Sequence, residues 1–414
     1  MSRILVRRAR VFDGWSPELI EDCDILIVDG VITEMSQTPL PAIGGVEAVE
    51  ANGRVLMPGL IDAHVHVYAA SVNLMKVVRW PSTYTAHFAA QFMEANLRRG
   101  FTSIRDMGGG DVGLANALKD GLVVGPRLFY GGRVISQTGG HGDMRPGDGE
   151  FDAFESCACS CHADSFAVVA DGVDAVRRAV REELRRGAAH IKIMGSGGVA
   201  SPTDPLDRCQ YSDAEITAAV EEATRMGKYV AAHCHPTEAV RRCVELGVRT
   251  IEHATLIDDA TAAFMAERGA FAVPTMATIF ALLDQGAALG LPSASLEKLK
   301  VVGDKALESL AILKRAGVKM GYGTDLLGAL HPRQLSEFEL RGRVLDPIDT
   351  LRAACAVNAE MIGQAGRLGC VKPGALADLL LLDGDPLTDP SVLSGEGERI
   401  AGVMLAGRWV KSSF

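Results

Sequence analysis

The chain lacks several things that would have narrowed its class at once. No stretch reaches the roughly 18 uninterrupted apolar residues of a membrane span. The first residues, Met1 to Asp13, alternate apolar and basic side chains and contain no apolar run of signal-peptide type. Positive charge is in deficit, with 42 Lys and Arg against 52 Asp and Glu and a formal net charge of -10, which argues against a nucleic-acid partner. The nine cysteines are odd in number and scattered over 414 residues, unlike the dense framework of a small secreted domain. These absences lead to the expectation of a soluble cytoplasmic protein with neither nucleic acid nor membrane as partner.

What is present is enough chain and enough apolar residues, 48%, for a large core. Both ends are β-rich. Arg3 to Phe12, Asp24 to Val28 and Arg54 to Met57 read as strands, as do Ala377 to Leu382, Ile400 to Leu405 and Arg408 to Val410. Asp29-Gly30 and Ala406-Gly407 supply tight turns. Between the ends, strand-like runs alternate with amphipathic helical ones. Strands are expected at 60–67, 102–107, 127–130, 191–194, 229–233, 250–253, 270–274 and 319–323, each followed by helical chain. Val173 to Gly187 has apolar residues at helical spacing, and Ser212 is an N-cap candidate for the helix 213–227. Eight βα units predict an α/β protein built as a (β/α)8 barrel, residues 59–364. Residues 1–58 and 365–414 would pair into a small β-sandwich. An open doubly wound sheet is the structural alternative.

Six residues that can serve a metal fall near the C-terminal ends of those strands, where a barrel places its active site. His64 and His66 end the first strand, and strand alternation puts both on one face. Lys192 lies in the fourth strand, His233 ends the fifth, His253 ends the sixth, and Asp325 follows the eighth. Each alone is more readily an ordinary structural side chain; their shared placement is what points to one site. A protonated lysine repels a metal. In a confined site beside cations its neutral amine is favoured, and that amine can take up carbon dioxide to give an anionic carbamate. An ordinary lysine paired with a carboxylate is the other reading.

With these residues in place the chain resembles the amidohydrolase superfamily over nearly its whole length. The resemblance runs from PGLIDAHVH (Pro58 to His66) to PGALADLLLLDGDP (Pro373 to Pro386). It implies two divalent ions, zinc first among the choices. His64, His66 and Asp325 would hold one and His233 and His253 the other, with carboxylated Lys192 bridging them. A hydroxide held between the ions would attack an amide carbonyl, with Asp325 as general base and then acid. Four segments are similar to an imidazolonepropionase-related branch of metallo-dipeptidases: SQTGGHGD (Ser136 to Asp143), IKIMGSGGVASPTD (Ile191 to Asp204), IEHATLIDD (Ile251 to Asp259) and GYGTDLLG (Gly321 to Gly328). Members cleave dipeptides or N-acyl amino acids at the C-terminal residue, and the similarity is greatest to the prolidase-like, proline-cleaving group. His141, in a Gly-rich loop, would bind the substrate carboxylate or simply cap the loop. His235 stands where those relatives carry a tyrosine that polarises the carbonyl. Tyr211 is a third substrate-binding candidate, with packing as its alternative.

An arginine- or lysine-cleaving enzyme would need an acid in the pocket, from among Asp143, Asp148, Asp204 and Asp207. A cyclic amide or carbamate hydrolase, a deaminase and a metal-dependent binding module are the remaining alternatives. The partner expected is a small peptide or N-acyl amino acid, with the chain assembled as a homo-oligomer. Cys157, Cys159 and Cys161, followed by His162, lack the spacing of a structural zinc site. Gly108 to Gly110 lack a phosphate-binding signature.

Overall fold

The structure, a computed structural model, describes residues 2–41, 45–145, 166–201 and 204–414. The two ends of the chain meet in one eight-stranded sheet. Its strands are β1 (Arg3–Val11), β2 (Ile20–Val28), β3 (Val31–Ser36), β4 (Glu47–Glu50) and β5 (Val55–Pro58) from the N-terminal part, with three C-terminal strands described below. Asp29 and Gly30 both take positive φ, 47° and 81°, the backbone a two-residue hairpin requires. β1 runs antiparallel to β2 and carries β4 and β5 in succession on its other edge.

The middle of the chain is parallel. Strands β6 (Leu60–Val65), β7 (Phe101–Asp106) and β8 (Arg127–Tyr130) form one three-stranded sheet. Strands β9 (Val134–Ser136), β10 (Ala167–Val169), β11 (Ile191–Met194), β12 (Val230–Pro236), β13 (Thr250–Leu256), β14 (Phe271–Val273) and β15 (Lys319–Met320) form another, in the order β10-β9-β11-β12-β13-β14-β15. The expected third strand, 127–130, is β8 itself, and β9 and β10 are two short strands that were not expected. β8 pairs with β7, and β9 pairs with β11. The break between β8 and β9 falls at Gly131-Gly132, where Gly132 has a φ of +73° and a β-carbon would strike the Glu183 carboxylate. Hydrogen bonds join the two sheets at both edges. Ala189 N–H donates to the Tyr130 carbonyl at 2.8 Å. Ala63 N–H donates to Tyr322 O at 2.9 Å and Asp325 N–H to His64 O at 2.8 Å.

The helices expected at 173–187 and 213–227 begin where expected and end two residues early. Helix Val173–Arg185 and helix Asp213–Arg225 pack as neighbours, and Ser212 and Glu215 close a full capping box on the second. Arg177 and Arg181 of the first helix reach Glu222 of the second at 2.9 and 2.8 Å, so their charges are paired across the surface. The last three strands, β16 (Leu379–Leu382), β17 (Ile400–Leu405) and β18 (Arg408–Ser412), complete the terminal sheet. The unbroken leucines of β16 are buried because β16 is interior, between β5 and β17. Arg127 clamps the two parts together, with its Nε 2.6 Å from Asp378. Cys157, Cys159, Cys161 and His162 lie outside the described residues, as does Asp148. Among the described residues no helix is long and apolar enough to cross a membrane.

Candidate metal centre

The C-terminal ends of the parallel strands surround a cavity of about 620 Å³ lined by His64, His66, His141, Lys192, His233, His235, His253 and Asp325. All six expected metal residues therefore face one space. Ligand atoms of His64, His253 and Asp325 lie within 4.8 Å of one another. The Asp325 Oδ1 is 3.6 Å from His64 Nε2 and 3.3 Å from His66 Nε2. The His233 and His253 rings are 4.5 Å apart.

Each imidazole has one nitrogen engaged by an oxygen behind it. His64 Nδ1 donates to Glu252 Oε2 at 2.9 Å, and His66 Nδ1 to the Gly108 carbonyl at 3.0 Å. His233 Nε2 donates to the Gly197 carbonyl at 3.2 Å. His253 Nδ1 meets Thr275 Oγ1 at 2.8 Å, and His235 Nδ1 meets Thr255 Oγ1 at 2.7 Å. A carboxylate and a carbonyl can only accept, so the tautomers of His64 and His233 are set and their opposite nitrogens carry lone pairs, whereas His66 has the Gly108 carbonyl on one nitrogen and the Asp325 carboxylate facing the other. This is how proteins orient histidines toward a metal. Burial keeps the set neutral as well. It holds His64 down to about 4 and His235 to about 3, with His233 and His253 well below their ordinary value. His66 moves up instead, held by Asp325 against its burial. Neutral imidazoles and an ionised carboxylate are the donor set that divalent ions such as zinc take.

Lys192 is 2% exposed. Burial lowers its ammonium to about 8, against the attraction of Glu252 and Asp325. The amine form is thereby within reach at neutral pH. Backbone strain is concentrated here too. His253, Ala254 and Asp325 have φ of 75°, 51° and 53°, a conformation that costs energy in any residue with a β-carbon.

Beneath the ligands lies a polar layer that the sequence reading missed. Glu252 is fully buried and clamped by Arg105, whose Nη2 is 2.9 Å from both carboxylate oxygens. Asp62 accepts from the backbone of His64 and of Thr324, and from the Thr324 hydroxyl and Gln334. Asp106 accepts the amides of Val67, Gly108 and Gly110, which explains that glycine run. The only signal for these residues was a charged side chain inside an otherwise apolar strand.

The remaining expectations fall out unevenly. The fifth strand runs on to Pro236, so His233 and His235 both lie on its inner face. The expectation that His233 ends the fifth strand is thereby corrected. His141 stacks on His233 with ring centroids 4.1 Å apart, and its Nδ1 lies 2.6 Å from Ser201 Oγ and 3.3 Å from Asp204. Gly198 passes so close to this ring that no β-carbon fits. Tyr211 is elsewhere. It packs in the core cluster between the strands and outer helices, and its hydroxyl donates to the Ala170 carbonyl at 3.0 Å. The packing alternative is the one the geometry favours for Tyr211.

The sequence matches the Amidohydrolase family model over residues 55–410. The chain belongs to the amidohydrolase family. Among curated proteins, this amidohydrolase is 32% identical to the ochratoxinase of Aspergillus niger over 376 residues, covering 86% of this chain and 76% of that one. An uncharacterised protein of Mycobacterium tuberculosis is 28% identical, covering 89% and 87%. Among solved structures, a prolidase complexed with N-methylphosphonate-L-proline is 45% identical, with a TM-score of 0.96 and full coverage of both chains. A Xaa-Pro dipeptidase with bound methionine is 26% identical with a TM-score of 0.87, covering 99% of this chain and all of that one. This amidohydrolase is accordingly a hydrolase of amide bonds whose structural neighbours include prolidases.

Proposed function

We propose that the chain is a binuclear metal-dependent amide hydrolase that releases the C-terminal residue of dipeptides or N-acyl amino acids, with proline the preferred leaving residue. The observation that carries the reading is the set of imidazoles pinned from behind, with their free nitrogens and Asp325 turned to one cavity. His64, His66 and Asp325 would hold one ion and His233 and His253 the other, with carboxylated Lys192 as a ligand available to both. When bound, two such ions, zinc by preference, lower the pKa of a water and polarise the scissile carbonyl.

The chain's own residues do the rest. Asp325 takes the proton of the attacking water and delivers it to the leaving nitrogen. His235 donates a hydrogen bond to the carbonyl oxygen from its Nε2, the nitrogen that Thr255 leaves unused. His141 receives the substrate carboxylate, its other nitrogen held by Ser201 and Asp204. Proline is favoured over arginine or lysine because the described acids are already engaged. Asp143 pairs with Arg145, Asp204 with Lys298, and Asp207 is exposed beside Arg208. Lys192 argues against a mononuclear deaminase.

Further parts of the reading concern the whole molecule. The hydrogen bonds across both sheet edges support a closed (β/α)8 barrel over 59–364, with 1–58 and 365–414 as a separate β-sandwich domain. A cytoplasmic location and a homo-oligomer complete it. The test is a screen of Xaa-Pro, Xaa-Arg and Xaa-Lys dipeptides and their N-acyl counterparts against protein carrying two equivalents of metal. Release of proline well ahead of the others is expected. A flat response across all three removes the assignment.

A further inference from the structure

One lysine of helix Ser293–Ala316 is used unlike its neighbours. Lys300, Lys305 and Lys314 pair with carboxylates on the surface. Lys298 turns instead to the chain that follows β11. Its Nζ donates to the carbonyls of Gly198 and Ser201 at 3.0 Å each and to that of Asp204, and it lies 3.4 Å from Asp204 Oδ1. Three carbonyls thus take the three hydrogens of the ammonium. Carbonyl oxygens gathered on one point repel one another unless a cation sits between them. The placement of Gly198, Ser201 and Asp204 therefore depends on Lys298.

Those residues stand directly behind His141. Asp204 accepts the Gly198 amide at 2.8 Å and the Ser201 hydroxyl. His141 Nδ1 is 2.6 Å from Ser201 Oγ and 3.3 Å from Asp204 Oδ2. Gln210 joins the same two sides, with its Oε1 accepting the His141 amide at 2.9 Å and its Nε2 3.4 Å from Asp204. Ser201, Asp204, Gln210 and His141 are all buried, so bulk water does not replace a partner lost here. We infer that Lys298 is a positioning residue for the substrate carboxylate, acting through Ser201 and Asp204 to hold His141 toward the cavity. The inference rests on the hydrolase reading above and deepens it. The metal residues have supports of their own. Even Gly197, whose carbonyl backs His233, is anchored separately by its amide, 3.1 Å from the Arg208 carbonyl. Loss of Lys298 should therefore fall on substrate binding and spare the chemical step.

The metal-loaded enzyme is assayed with L-Ala-L-Pro, or with whichever compound of the screen above it cleaves best. Lys298→Met should raise KM by about tenfold and leave kcat within about threefold, the signature of lost binding shared by ground and transition states. Its metal content should stay at that of the parent. His141→Asn should raise KM as well, and adding Lys298→Met to it should change KM by less than about twofold, because the lysine acts through the histidine. Where His141→Asn turns over too slowly, the same cycle is read by calorimetric affinity in an Asp325→Asn background. An unchanged KM in Lys298→Met overturns the inference, even beside a lowered melting temperature. So does a fall in kcat with KM unchanged, a loss of metal, or full additivity in the cycle. Lys298→Gln carries the same measurements if the Met variant fails to fold. A parent that neither binds nor cleaves any compound of the screen removes the hydrolase reading itself, whereas an active parent matched by Lys298→Met removes this inference alone.

Discussion

The two halves of the cavity floor rest on different chemistry. On the β6 side, His64 donates to a buried carboxylate, Glu252, which Arg105 holds with both oxygens at 2.9 Å. Asp62 and Asp106 fix the backbone on either side of that half. On the β12–β13 side the supports are neutral: the Gly197 carbonyl behind His233 and the Thr275 hydroxyl behind His253. A carboxylate behind an imidazole makes the opposite nitrogen a stronger donor. The β6 half should therefore hold its ion more tightly, and the β12–β13 half should be the one that loads and empties first.

The largest effect is expected at Asp325, the residue proposed to move protons. Asp325→Asn keeps the shape of the side chain and removes its basicity. Steady-state kcat should fall by about a hundredfold to ten-thousandfold, the usual contribution of a positioned acid-base group. Metal content measured on the same sample separates this from simple loss of ions. Near-parent turnover would show that Asp325 is not the proton carrier and that the β6 half is only a ligand.

The comparison itself is tested next. Glu252→Gln keeps a hydrogen-bond acceptor for His64 but removes the charge. Competition against a chelator should show one of two ions weakened by about ten- to a hundredfold, with the other little changed. Thr275→Val on the other half removes one hydrogen bond worth about 0.5–1.5 kcal/mol, so it should weaken the other ion by less than about tenfold. Equal loss of both ions in either variant would mean that the halves act as one unit.

These two halves also mark the limit of what the sequence disclosed. His64, His66, Lys192, His253 and Asp325 were legible because strand periodicity placed them at one end of a βα series, and that end is where such residues converge. Glu252 and Arg105 were not. They meet across 147 positions of sequence, and the one local signal, a charge within an apolar strand, does not say which partner each finds. Gly131-Gly132 carried a legible break signal that ends the strand at Tyr130 as expected, but the three residues of β9 beyond it are too few to show strand periodicity. Tyr211 was ambiguous for a different reason. An aromatic just before a helix can turn toward a cavity or into the core, and only the Ala170 carbonyl that takes its hydroxyl shows which.

The smallest effect is electrostatic and belongs to the metal-free protein. An unfolded histidine titrates near 6.5. Folded His64 and His235 titrate at about 4 and about 3, and His233 and His253 also lie below their ordinary value. Between those values the unfolded chain holds protons that the folded chain refuses, so acid favours unfolding. His66 works the other way, since its raised pKa adds stability in acid that is lost as the pH rises. The buried carboxyls of Asp62, Asp106 and Glu337, raised by burial, work in the same direction as His66, and the expected sign is that of the histidine set, in which four lowered groups oppose one. Chelator-treated protein should lose thermal stability as the pH falls from about 6.5 toward 4. His190 and His331 are buried away from the ligands and shift the same way, so the slope alone does not locate the effect. The informative measurement compares the parent with His235→Gln. Removing one of the depressed groups should make the pH dependence of the melting temperature shallower, and an unchanged slope would show that the neutral imidazoles of the β12–β13 half are not what acid disrupts.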